Sequence, residues 1–412
     1  MTVMTAAQPA PLSIGIVVPS FDRGGLEQVA LNLYRGYRAR GFRCVVLVEN
    51  NTAGYMLSRL DDLADGIVIN RDEGLFIETL AAHRIDVLHY HYASFGLRTA
   101  TALGIYTLYT IHNVYTWLDD AAFAHRAAEV MAADRAVAVS RFVRDYFVRR
   151  AGIGPDRVDV ILNGVDVDAL SGRPAGAPPR LNVPDGRFVF ALPASTFPVK
   201  HQPLAIRAAE RLREKRRDFQ LVLLGNLGEP DFAREVDALV QSSPAAAHIT
   251  QCSSVPHEWM GWFYREIADC VILPTLQEGC SNVVLEALAF DRPMILTDVG
   301  NAREAAALSD RVRIVPRAEE DLDALTPARI AELSLCQETR NLRALTDAMA
   351  ASLDKRGGEA ADANALAARR SEIGLDRMVD AYLELIRYGA AFAPHGTGLS
   401  PATSSKTLET LA

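Results

Sequence analysis

The sequence predicts an α/β chain of two doubly wound domains, each a parallel sheet with helices on both faces. Three observations carry that prediction. Short apolar runs alternate with amphipathic segments along most of the 412 residues, the pattern of repeated β-α units. A Pro- and Gly-rich stretch at 171–185 interrupts the alternation, which then restarts. The length itself suits two or three domains at about 150 residues each.

The elements follow in order. Buried-strand runs fall at 14–19, 44–48, 66–70, 86–90, 106–111, 136–139 and 158–162. Between the first two, 26–40 reads as a helix, with Val29, Ala30, Leu33 and Tyr37 on one face. Beyond the break, strands are predicted at 188–192, 221–224, 270–273, 294–297 and 312–315, with helices near 204–215, 281–290 and 301–307. The span 319–385 is mostly helical in pattern. These readings divide the chain into a first domain at 1–175, a second at 186–372, a closing helix within 373–390 and a disordered tail at 391–412, where Pro394, Gly396, Gly398 and Pro401 cluster.

Composition narrows the function classes. Hydrophobic residues make up 49% and charged ones 23%, enough apolar surface to bury a core and too much for a disordered chain. A net charge of -8 argues against a nucleic-acid binder that neutralises phosphates. Cys44, Cys252, Cys270, Cys280 and Cys336 are scattered without C-x-x-C spacing, which suits reduced thiols and opposes a disulfide framework or structural zinc. No apolar run reaches the roughly 20 residues of a membrane span, and residues 1–12 lack the regions of a signal peptide. A soluble, cytoplasmic protein is expected. Only four of the 43 basic residues are lysines: Lys200, Lys215, Lys355 and Lys406.

Three segments carry chemistry. Gly24 and Gly25 stand between a strand and a helix, where free amides attract anions; a plain tight turn is the simpler reading. In Leu273-Pro-Thr-Leu-Gln-Glu278-Gly-Cys-Ser-Asn-Val-Val-Leu-Glu286, Ser281 is placed as the N-cap of a helix whose first amides, around Asn282 and Val283, form a second anion site. Glu278 and Glu286 flank that helix start, and carboxylates accept strongly from sugar hydroxyls. In Ser195-Thr-Phe-Pro-Val-Lys200-His201, a rare lysine stands in a strand-to-helix loop, where a compact ammonium suits phosphate.

His112 follows a strand at its carboxyl end. His89 and His91 share one strand face and could hold a metal, but no third ligand is spaced to join them, so no metal is assigned. Arg141, Arg144, Arg149 and Arg150, set among Phe142, Val143, Phe147 and Val148, read first as a solvated helix face. A surface touching an anionic bilayer, such as an inner membrane, is the second reading.

In order along the chain, these segments resemble the GT-B glycosyltransferases of the retaining family 4 type. The matching parts are Gly24-Gly25, Asp86-Val-Leu-His-Tyr-His91, Thr110-Ile-His112, Val139-Ser140, Val160-Ile-Leu-Asn-Gly-Val-Asp166, Lys200, Leu224-Gly225, the Glu278-x7-Glu286 pair and Thr297-Asp-Val-Gly-Asn-Ala-Arg-Glu304. The resemblance implies two Rossmann-like domains facing across a cleft, with the last helix crossing back to the first domain. It implies a nucleotide-diphosphate sugar as co-substrate, with no further cofactor or metal, and a glycan, lipid-linked or small-molecule acceptor. By the same resemblance Glu286 binds ribose hydroxyls, and Glu278 with the amides near Gly279, Ser281, Asn282 and Val283 holds the sugar. Lys200 and the Gly24-Gly25 amides neutralise the leaving diphosphate. His112 lies against the reacting sugar as a hydrogen-bonding or acid–base group, and a front-face reaction retains the anomeric configuration.

Two positions depart from the family pattern. Ser195 stands where many members carry arginine, and Asp291 replaces the usual glycine after the helix. The first leaves Lys200 as the principal cation and keeps open an inactive partner subunit. A sugar-nucleotide epimerase on the same architecture is the other alternative.

Overall fold

The computed structural model describes residues 12–22, 24–50, 54–226, 228–253, 255–355 and 362–392. The first sheet contains β1 (Ser13–Val18), β2 (Arg43–Val48), β3 (Gly66–Val68), β4 (Val87–His91), β5 (Tyr106–Ile111), β6 (Arg135–Ala138) and β7 (Val158–Val160). Their order is β3-β2-β1-β4-β5-β6-β7, with every pairing parallel. The second sheet contains β8 (Phe188–Pro193), β9 (Phe219–Leu224), β10 (Ile249–Cys252), β11 (Cys270–Leu273), β12 (Met294–Thr297) and β13 (Val312–Val315). It runs β10-β9-β8-β11-β12-β13, again all parallel. Two Rossmann-like domains result.

The central strands are apolar throughout because helices cover both faces of each sheet. All six residues are buried in β1, β5, β8 and β9. Strand β10 escaped the sequence reading for the converse reason. It lies at a sheet edge, and Thr250 and Gln251 interrupt its apolar character. In each sheet the strand order reverses beside the first strand, between β1 and β4 and between β8 and β11. A crevice opens at the carboxyl ends of the strands at such a reversal.

The chain returns to its first domain at the end. The helix Ala363–Ile373 stays with the second domain, where Arg370 Nε donates to the Ala289 carbonyl at 2.8 Å. At Gly374 a single bridge to Val165 marks the crossing, and the helix Leu375–Phe392 then lies on the helix Gly25–Ala39. Gly36 permits the approach, since a Cβ there would overlap the Val379 side chain. Arg40 ties the two helices through Asp376 and Asp380. The segment expected as a tail, 391–412, begins two residues inside this helix, and its remainder lies outside the described residues.

Asp291 occupies a left-handed backbone position, φ 52°, which explains the preference for glycine there. Its carboxylate lies 2.6 Å from both Arg311 and Arg369, and the Arg369 pair is buried on both sides. The departure therefore does more than alter a helix end, because it pins the helix Ala363–Ile373 to the second domain. Replacing Asp291 by Gly relieves about 1 kcal/mol of backbone cost and breaks a buried pair worth about 3–5 kcal/mol when one partner is removed. Denaturant unfolding of Asp291→Gly is expected to show a net loss of about 2–4 kcal/mol on those figures. Unchanged or raised stability would show that the arginine clamp contributes nothing.

Candidate active site

A cavity of about 560 Å³ lies where the carboxyl edges of the two sheets face each other. Loops after the strands supply its walls. Gly24 and Gly25 follow β1, Tyr92 follows β4, His112 follows β5 and Asn163 follows β7. From the second domain come Ser195 and Lys200 after β8, Gly225 and Asn226 after β9, and Glu278, Ser281, Asn282, Val283 and Glu286 after β11. Of the site residues read from the sequence, only Gly279 lies off the cavity wall. It sits behind Glu278, and a Cβ there would overlap the carbonyl oxygen of His112. That contact joins the domains, and Ser140 Oγ secures it by donating to the Gly279 carbonyl at 2.8 Å. Asn163 Nδ2 donates to the Cys280 carbonyl at 3.2 Å, and the Arg141 amide donates to Glu304 at 2.8 Å.

Two helix starts open into the cavity, and neither is capped by a side chain. Gly24 precedes the helix Gly25–Ala39 and has no side chain to offer. Ser281 holds the N-cap position of the helix Asn282–Ala289 as expected from sequence, but its hydroxyl makes no capping bond. Asn301 fixes Ser281 instead, accepting from its amide at 3.0 Å and donating to its carbonyl at 3.3 Å. Among the described residues, Asp72, Asp119, Ser140, Asp166, Thr326 and Asp362 cap helices elsewhere, while others such as Gln202–Arg213 and Pro230–Ser242 also lack a side-chain cap. Neither start has a side-chain N-cap; at Asn282 that leaves the chemistry of an anion site, whereas at Gly25 the Glu27 carboxylate lies against Gly24 and accepts from its own amide.

Charged groups come mainly from the second domain. Lys200 Nζ stands 2.6 Å from Glu278 Oε2 and, among the described residues, is the only lysine or arginine on the wall. Neighbouring His201 is buried and left-handed at φ 53°, and its Nε2 donates to the Leu333 carbonyl at 3.1 Å, which anchors the loop carrying Lys200. Ser195 contributes its carbonyl to Gln202 at 3.0 Å and puts no charge at the position where arginine is usual. Glu286 is buried, accepting from Tyr264 OH at 2.8 Å and from His257 Nε2 at 3.1 Å. That hydrogen bond raises the His257 pKa above its ordinary value. Sequence reasoning missed both partners. Tyr264 lies in a short irregular helix, and His257 lies in a turn with no motif around it.

Among the described residues, those of the first domain on the cavity wall carry no carboxylate, lysine or arginine. His89 and His91 do share a face, with rings 4.2 Å apart. Both nitrogens of His89 are engaged, by Tyr37 OH at 3.1 Å and Thr110 Oγ1 at 2.8 Å. Thr110 also meets Tyr382 OH, from the helix Leu375–Phe392, at 3.1 Å. His91 Nδ1 meets His112 Nε2 at 2.8 Å. Among the described residues no three His, Cys, Asp or Glu side chains are grouped to hold a metal. Two of the four arginines read as a solvated or bilayer-facing cluster are tied into the fold. Arg149 forms two bonds with Asp323, and Arg150 donates to the Tyr115 and Leu118 carbonyls.

Burial drives all three histidines toward the neutral form, lowering His89 and His112 to about 3 and His91 well below its usual value. In the unfolded chain they titrate near 6.5, so that state takes up protons first as pH falls. For His89 and His112 the contribution to stability is complete above about pH 6.5 and is lost as pH falls toward about 3, at up to about 1.4 kcal/mol per ring and pH unit, and His91 acts in the same direction. Melting temperatures at pH 7 and 4.5 should show the drop, and His89→Asn should shrink it. An equal drop in that variant contradicts the burial argument.

Comparison with known proteins agrees with this geometry. The family described as Glycosyltransferase Family 4 matches residues 23–169, and that described as Glycosyl transferases group 1 matches 177–341. A D-inositol 3-phosphate glycosyltransferase of Catenulispora acidiphila is 24% identical over 69% of this chain and 77% of its own. A phosphatidylinositol N-acetylglucosaminyltransferase subunit of Saccharomyces cerevisiae is 23% identical over 55% of this chain and 51% of its own. Among solved structures, a Rickettsia africae glycosyltransferase superposes with TM-score 0.69 and 19% identity, over 93% of this chain and all of that one. The Anabaena protein HepE, solved with UDP, superposes with TM-score 0.68 and 16% identity, over 92% of this chain and all of its own. Two matched domains and the GT-B architecture together place this chain among the GT-B glycosyltransferases of the family 4 type.

Proposed function

We propose that the chain transfers a sugar from a nucleotide-diphosphate donor to a hydroxyl acceptor, with retention at the anomeric carbon, in glycan or glycoconjugate assembly of bacterial type. The observation that carries this reading is one cavity holding two uncapped helix starts, a lysine and two engaged carboxylates. The diphosphate lies between the amides of Gly25 and those of Asn282 and Val283, with Lys200 alongside. Leu224, Val255 and Met260 give an apolar wall for the base, and Glu286 accepts from the ribose hydroxyls. The sugar then lies between Glu278 and His112.

As the bond from the anomeric carbon to the phosphate oxygen breaks, negative charge grows on the diphosphate. Lys200 and the preorganised amides stabilise that charge more than they stabilise the intact donor. The acceptor hydroxyl bonds to the anomeric carbon on the face the phosphate leaves, and its proton passes to the departing phosphate oxygen. Glu278 is paired with Lys200, and Glu286 is held by Tyr264 and His257. Both carboxylates thus act as hydrogen-bond acceptors, in keeping with a reaction that forms no covalent sugar–protein intermediate.

The acceptor is read as a glycan, a lipid-linked or a small hydroxylated molecule. Among the described residues no helix is long and apolar enough to cross a membrane. One observation favours a second reading, a donor-binding partner subunit without turnover: the one cation among the described wall residues already spends part of its charge on Glu278.

A panel of UDP-, GDP-, ADP- and dTDP-sugars tests the proposal. One donor should raise the melting temperature, and release of its nucleoside diphosphate should require an acceptor. Donor binding without release in any acceptor set supports the partner-subunit reading, and interconversion of free donor points to an epimerase. Glu286→Gln keeps the side-chain shape and removes the charge. It should weaken donor binding by about 1.5–3 kcal/mol, roughly 10- to 100-fold. Unchanged affinity in a titration would remove Glu286 from the donor site.

A further inference from the structure

His91 and His112 share one hydrogen bond, and its direction follows from the surroundings. His91 Nδ1 and His112 Nε2 lie 2.8 Å apart, so one nitrogen carries the proton and the other a lone pair. The other nitrogen of His91, Nε2, is buried with no hydrogen-bond partner among the described residues. A buried N–H without an acceptor costs more than a buried lone pair without a donor, and orphaned N–H groups are correspondingly rare. The proton of neutral His91 therefore belongs on Nδ1, where it is used. His112 Nε2 accepts it and is bare, which puts the proton of neutral His112 on Nδ1.

We infer that His91 is a positioning residue that fixes His112 as an Nδ1–H hydrogen-bond donor to the cavity. His91 is buried and His112, half-buried on the cavity wall, is desolvated by its neighbours, and both effects favour the neutral rings. With its Nε2 lone pair bound to His91 and its ring on the cavity wall, His112 offers Nδ1–H to an oxygen of the donor or acceptor and removes no proton from either. This rests on the proposed placement of the sugar beside His112. Stacking of the Tyr92 ring on His112, 5.5 Å between centroids and 21° between planes, holds the ring in the same orientation. His91 belongs to β4 and pairs with Thr110 in register, so the bond spans two neighbouring strand ends.

The ring is read directly in 15N-histidine-labelled protein, by long-range 1H–15N correlation without donor or acceptor. The expected spectrum shows His112 as the Nδ1–H tautomer, unchanged between pH 5.5 and 8. A His112 signal in the Nε2–H form, or one that titrates in that range, overturns the inference whether or not the chain transfers sugar. Function gives a second reading. His91→Leu removes the Nδ1–H donor and should lower kcat about tenfold or more, with donor KM changed less than about threefold. His91→Asn, whose amide N–H can stand where Nδ1–H stood, should recover most of that loss. A His91→Leu variant with wild-type kcat, or an Asn variant no better than Leu, contradicts the positioning role. Should Leu fail to fold, the wild-type spectrum still decides.

Discussion

Ser140 Oγ reaches the Gly279 carbonyl from one domain to the other, and beside it the backbone of Gly279 touches the His112 carbonyl with no room for a side chain. The geometry of the cavity depends on this contact. It sets the turn after β11 against the end of β5, so that Glu278, with Lys200 bound to it, faces His112. Neighbouring ties repeat the arrangement on both sides, from Asn163 to Cys280, from Gln277 to Asn113 and from the Arg141 amide to Glu304. A side chain at position 279 would have to separate the domains before it could fit.

The two domains bring different electrostatics to that junction. The second supplies the ion pair and the buried carboxylate, each held by neighbours that fix its direction. The first supplies neutral donors and acceptors in a dry setting, where a hydrogen bond is stronger than in water. The final helix supports them from behind. Tyr382 reaches Thr110, Thr110 reaches His89, and His89 reaches Tyr37, so a residue late in the chain buttresses the strand that ends at His112. The clamp at Asp291 leads to the same helix from the other domain, because it anchors the segment that precedes the crossing at Gly374.

Much of this was legible in the sequence because parallel strands are apolar on both faces. Strands 106–111, 270–273, 294–297 and 312–315 coincide with their observed bounds. The edge strand Ile249–Cys252 was not legible, since Thr250 and Gln251 break its apolar run. In the site, Lys200, Glu278 and Glu286 stood out by residue type and spacing. Their holders did not, because His257 and Tyr264 act on Glu286 from short irregular helices, 29 and 22 positions away, that carry no pattern of their own. Ser281 shows the limit differently: residue type located the helix start, but only the structure shows Asn301 taking its backbone and the hydroxyl leaving the amides uncapped. Asp291 departs from glycine in the sequence, but its role depends on Arg311 and Arg369, 20 and 78 positions further along.

Assembly of the site, more than any single side chain, is the central requirement for the proposed turnover. Gly279→Ala tests this most directly, through paired measurements of nucleotide affinity and acceptor-dependent transfer in the same preparation. The account predicts a folded protein whose nucleotide affinity, carried largely by the second domain, stays within about threefold (roughly 0.6 kcal/mol), while transfer falls by about a hundredfold or more, as expected when reacting groups are displaced by an ångström. Wild-type transfer by Gly279→Ala would contradict it.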